Sequence, residues 1–164
     1  LTTVTEKVTL RNLTSHYYAT LFSLTIGATQ ISDVSASDAG GALEVSKEQK
    51  GTSTTITVKF NQQTAGLGKE LPWILKFKSK DFASAQGKIW EVTLPKIVSA
   101  SNLENYNVTL SVPTIFGPPT SISPNPAKQT SSFDRLFLNF SKDQLTGSGV
   151  SANFGDKQLF DFDL

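Results

Sequence analysis

The chain has 164 residues, 15 basic and 14 acidic side chains, and a formal net charge of +1. That length is enough to bury a real core, while so even a charge balance lacks the concentrated positive surface that nucleic acid requires. With no cysteine at all, disulfides, thiolate metal sites and a thiol nucleophile are excluded.

The first segment alternates. Val4, Val8 and Leu10 lie on one face, with Thr5, Lys7, Thr9 and Arg11 on the other. Period-two alternation is the mark of a strand half-buried on one side. Tyr18, Phe22, Leu24 and Ile26 share a face in the next run, and short strands follow near Ile31–Val34 and Leu43–Val45, separated by the turn Asp38-Ala39-Gly40-Gly41. Lys50-Gly51 leads into Ile56, Val58 and Phe60, which alternate with Thr55, Thr57 and Lys59. Past the loop Ala65-Gly66-Leu67-Gly68, Trp73, Leu75 and Phe77 alternate with Ile74, Lys76 and Lys78; the row Lys76, Lys78, Lys80 reads as a solvated strand face. The best helix candidate is Phe82–Gln86, one turn at most and equally readable as a bend between strands, and Trp90, Val92 and Leu94 then form another inward row.

Leu94-Pro95 ends that strand and a polar stretch follows, so a linker is placed at 96–105. Tyr106, Val108, Leu110 and Val112 resume the alternation until Pro113. A proline-rich stretch comes next, and Phe133, Leu136–Phe140, Val150–Phe154 and Leu159–Leu164 supply further strands. About seven strands are expected before residue 95 and four or five after it. Short strands at regular spacing with glycine-bearing turns predict an all-β fold, two small antiparallel sandwich-like domains in tandem at 1–95 and 106–164. The missing methionine at position 1, and a last run that stops in mid-strand, read as a piece of a longer protein, the second domain truncated at its C-terminus.

No residue in this sequence is assigned a catalytic, cofactor-binding or metal-binding role. His16 stands alone in Thr14-Ser15-His16-Tyr17, without the partners a nucleophile or base needs. Gly147-Ser148-Gly149 is a loop and no nucleophile elbow. Asp161 and Asp163 share a strand face, but two carboxylates fall short of the six to eight oxygens that Ca²⁺ takes. Asp33 and Asp38 flank a turn without ligand spacing, and Gly66-Leu67-Gly68-Lys69 lacks the hydroxyl residue of a phosphate loop. Three Asn-x-Ser/Thr sequons begin at Asn12, Asn107 and Asn139, close to the chance number for a chain this rich in Ser and Thr. Trp73 and Trp90 fall in aliphatic register and read as core; Phe116, beside Gly117-Pro118-Pro119, is the best candidate for an exposed aromatic, though even there anchoring of the loop is the favoured reading.

The segments Val8–Ser15, Ile56–Asn61, Gly66–Lys69, Gly87–Val92, Val108–Pro113 and Asn153–Gln158 together resemble the N-terminal β region of bacterial surface proteins that carry a transglutaminase-like domain. Tyr106–Pro113 is also similar to the front β domain of M1-type aminopeptidases. The resemblance implies a non-catalytic module outside the cytoplasm, secreted or held at the cell surface through segments beyond this chain. Such a module positions or accompanies a downstream transglutaminase-like domain and contacts a protein or peptide. The Cys-His-Asp chemistry of that downstream domain has no counterpart here. The rival reading is an adhesin-like or carbohydrate-binding module with exposed aromatics on one face. A third is a hydrolase with two carboxylates about 5 to 9.5 Å apart in a cleft.

Overall fold

A computed structural model describes residues 1–96 and 103–155. The fold is all-β: thirteen strands and one short α-helix among the described residues, with every strand pairing antiparallel. The chain divides into two compact units, Leu1–Asp81 and Phe82–Leu164.

The first unit is a six-stranded sheet in the order β1-β6-β3-β4-β5-β2. Its strands are β1 (Thr2–Arg11), β2 (Leu21–Ile26), β3 (Ile31–Asp38), β4 (Gly41–Lys50), β5 (Ser53–Lys59) and β6 (Glu70–Ser79). Gly41 to Leu43 of β4 pair with β3, whereas Glu44 to Lys50 pair with β5. One strand thus joins two three-stranded halves. The buried side chains include Ile56, Val58 and Phe60 in and just after β5, and Leu71, Trp73, Leu75 and Phe77 on β6. The Trp73 ring meets Phe22 at 5.3 Å and Phe60 at 5.6 Å, both edge-on, which is the favoured geometry for aromatic pairs.

The outer faces explain the Ser and Thr content. Ser23 bonds Thr57 and Thr25 bonds Thr55, each at 3.0 Å, in cross-strand hydroxyl pairs that solvate a sheet face without charge. Lys78 pairs with Asp33 at 2.8 Å; Lys76 and Lys80 are exposed. Asp33 takes φ 52 at the point where the β3–β6 register shifts, a bulge between Ser32 and Ser35. Asp81 closes the unit: its Oδ2 accepts the N–H groups of Thr29 and Gln30 at 2.6 and 2.9 Å, and those bonds hold its carboxyl below the usual range.

The second unit has two sheets. One runs β10-β13-β8-β7, with β7 (Ala83–Gln86), β8 (Ile89–Leu94), β10 (Ser121–Ser123) and β13 (Val150–Phe154). The other runs β11-β12-β9, with β9 (Asn107–Pro113), β11 (Lys128–Ser131) and β12 (Arg135–Ser141). Their inward residues form one cluster: Val92, Val150, Ala152 and Phe154 with Leu110, Val112, Leu136, Leu138 and Phe140. Helix α1 (Lys142–Gly147) adds the buried Leu145.

Two expectations change. The division falls after Asp81 rather than at 96–105, because the β7–β8 hairpin pairs with β13 and takes residues 83–94 into the second unit. Pro95 ends a strand, not a domain. The segment Phe82–Gln86, read as a helical turn or a bend, contains strand β7, and the helix lies at Lys142–Gly147, where Gln144 Oε1 accepts the Ser141 N–H at 2.9 Å. Eight strands precede Pro95 and five follow among the described residues. The expected strand at Leu159–Leu164, with Asp161 and Asp163, lies outside the described residues, as does most of the expected linker.

Candidate functional site

The loops at one end of the first unit converge on Asn12. Its backbone N–H donates to Lys69 O at 2.8 Å and its carbonyl accepts from Gly68 N at 2.7 Å. Its Oδ1 accepts from both the N–H and the hydroxyl of Thr14 at 2.9 Å, an Asx turn. Its Nδ2 donates to Tyr17 O at 2.5 Å and to Thr64 O at 3.0 Å. One side chain therefore ties the β1–β2 connection (residues 12–20) to the β5–β6 connection (residues 60–69). The β3–β4 turn joins them: Asn61 Nδ2 donates to Ala42 O at 3.2 Å, and a Cβ on Gly40 would meet Gln62 Nε2 at 3.3 Å.

These tethered loops hold their apolar side chains outward. Leu13, Tyr17 and Leu67 are between 71% and 78% exposed, and Tyr18 is 38% exposed. Leu13 follows Asn12, and Leu67 precedes the Gly68 that bonds to it, so both flank the same backbone pair. Gly66 and Gly68 take φ +112 and +75, which lets the loop fold back onto Asn12. Exposed apolar side chains on a braced backbone make a contact surface whose ordering entropy is already spent before a partner arrives.

Replacing Asn12 by alanine is expected to cost about 2 kcal/mol, because two carbonyls lose donors and the Asx turn loses its acceptor. An N12D variant keeps the acceptor and loses the two amide donations, so it should fall between wild type and N12A in urea melts. Equal stability of all three would contradict the bracing role.

The other sequence candidates disperse. His16 is exposed in the same β1–β2 loop, and Asp33 serves the bulge. Phe116 is half-buried, its ring 5.6 Å from Trp90 at 55°, so it anchors its loop against the second core. Tyr18 leaves the expected strand face for the loop. Sequence reasoning passed over the exposed Ile115, and Phe133, expected in a strand, is exposed in the bend before β12. Among the described residues no three His, Cys, Asp or Glu side chains group as metal ligands, and no helix is long and apolar enough to cross a membrane. Two open depressions of about 250 and 240 Å³ lie in the second unit. One is lined by Thr114, Gly117, Pro118, Gln129 and Leu136, the other by Lys88, Ile115, Phe116, Gly117 and Gly155; neither lining includes a carboxylate.

Two sequons are already engaged. Asn12 uses its whole amide in the loop brace. Asn139 on β12 accepts from Thr109 Oγ1 at 2.7 Å and donates to Lys128 O at 3.4 Å. Asn107, at the start of β9, is exposed. The chain matches no family model and no curated protein.

Proposed function

We propose that the protein is a non-catalytic binding module that contacts a protein or peptide through the Asn12-braced loop end of its first unit. The observation that supports this is the outward set Leu13, Tyr17, Tyr18 and Leu67 on loops locked by Asn12. Exposed tyrosines supply large contact area at low entropic cost, and the two leucines favour an apolar protein surface over a sugar. Each unit is read as a two-layer, sandwich-like scaffold that presents loops at its ends. A place outside the cytoplasm, beside a downstream transglutaminase-like domain, is supported by the resemblance of the segments named above. The reading frame following Leu164 tests it.

A displayed library of linear peptides selected on the intact protein, with a Tyr17→Ala/Leu67→Ala variant as counter-target, tests the binding surface. Selected peptides should lose at least tenfold in affinity for the variant, about 1.4 kcal/mol. Peptides that bind both proteins equally would overturn the assignment. The carbohydrate reading draws on Tyr17 and Tyr18 alone; an oligosaccharide array probed with and without Ca²⁺ should stay blank, and a hit abolished by Tyr17→Ala would favour that reading instead.

A further inference from the structure

Strands β1 and β2 stand at the two ends of the six-strand order. Among the described residues each pairs along one edge, β1 with β6 and β2 with β5. Because β4 joins the two halves at the far side, both unpaired edges belong to the same flank of the first core. The ring contact agrees: Phe22 of β2 touches Trp73, and Trp73 is the register partner of Val8 on β1.

The inward side chains at this flank are less buried than those behind them. On β6 the inward residues Leu71, Trp73, Leu75 and Phe77 are at most 5% exposed. Their register partners on β1 (Leu10, Val8, Glu6 and Val4) are all only half-buried. On β2, Phe22 and Leu24 are half-buried too, while Val58 and Ile56 opposite them on β5 are buried. An apolar row on each side is thus left partly wet, beside a long strand edge that pairs with no other strand among the described residues.

Glu6 interrupts that row. It points inward between Val4 and Val8, opposite the fully buried Leu75. Among the described residues no hydrogen bond or ion pair reaches its carboxylate, and burial pushes its carboxyl above the usual range. A half-desolvated acid without a partner is costly, and a cation supplied by a neighbouring strand would offset that cost.

We propose that the free edge of β1 accepts an extended segment of another polypeptide, bearing Lys or Arg opposite Glu6 and aliphatic residues two positions to either side. Main-chain bonds to β1 give such a strand affinity, and alternate side chains entering the wet apolar row give it specificity. A second copy of this chain fits poorly. Two-fold antiparallel pairing keeps the inward faces aligned, so residues i and j face each other with an even sum. The two registers that retain most of the strand place Glu6 against Glu6 or Lys7 against Lys7, and like charges directly opposite are destabilising.

The test uses three capped peptides. The first is eleven residues long, with Thr and Val alternating and Lys replacing the central Val; the others carry Glu or Val at that position. Against the intact protein, the Lys peptide should bind at least tenfold tighter than the Glu peptide, with amide shifts in Thr2–Arg11. Glu6→Gln should bring the three affinities within about threefold, and Glu6→Lys should reverse the order. If E6K fails to fold, E6Q alone carries the comparison. A Lys peptide N-methylated at alternate positions should not bind. No binding by any peptide would mean that Glu6 merely guards the edge against pairing, and would overturn the proposal. So would a preference that survives E6Q, or concentration-dependent dimers whose amide shifts lie in β1.

Discussion

Trp73→Ala should cost the first unit about 3–5 kcal/mol, the range for removing a large aromatic from a closed core. Trp73 is 2% exposed and is the hub of that core: Phe22 comes from β2, Phe60 from the end of β5, and Val8 and Asp38 are its register partners on β1 and β3. Truncation removes contacts to both three-stranded halves at once. Against a typical total of about 5–15 kcal/mol, that loss is a large share. Trp73→Phe should behave very differently. The indole Nε1 is buried without a hydrogen-bond partner among the described residues, as is Oδ2 of its register partner Asp38. Phenylalanine keeps most of the ring contact and removes an unsatisfied donor, so the cost should stay below about 1.5 kcal/mol. Urea melts followed by circular dichroism give both numbers. Equal losses for the two variants would show that Nε1 has a partner and that the core does not turn on ring packing.

Gly155→Ala should destabilise the second unit by about 3 kcal/mol, from backbone strain and overpacking together. Gly155 follows β13 at φ +106, and a Cβ there would lie 2.1 Å from Lys88 O and 3.2 Å from Lys88 C. The contact is with backbone, so no rotamer change relieves it. It sits where β13 runs alongside β8, next to the Phe154–Trp90 pair. Two controls separate the causes. Gly149→Ala meets Leu94 O at 2.1 Å without a positive φ, and Gly87→Ala has φ +63 with open space around it. G149A should cost nearly as much as G155A, and G87A only about 1 kcal/mol. A G155A protein that melts like wild type would refute the close approach.

The strand pattern was legible where one face is fully covered. Ile56, Val58 and Phe60, then Trp73, Leu75 and Phe77, then Leu136, Leu138 and Phe140 lie inward as their alternation implies. Alternation says nothing of which strands pair. Ile89–Leu94 therefore read as the end of the first domain, although its partners are β7 and β13. Helix α1 is too short for a helical period to register; its one signal was Ser141 followed by Gln144 at capping-box spacing. The loop site was nearly invisible. Asn12-Leu13-Thr14 was noticed as a sequon, and its real work, an Asx turn plus two long-range donations, depends on Thr64 being brought close by the fold. Glu6 was passed over because Val4, Val8 and Leu10 already described the face. An acid in an apolar row is itself a signal, and only the unpaired edge beside it shows what the signal is for.

The most direct measurement is an amide-shift map of the intact protein titrated with the tightest of the library-selected peptides. The account predicts shifts concentrated in residues 12–20 and 60–69, weakened strongly in the Asn12→Ala protein. Shifts centred on the second unit, or unaltered by N12A, would contradict the claim that the braced loop end is where this protein meets its partner.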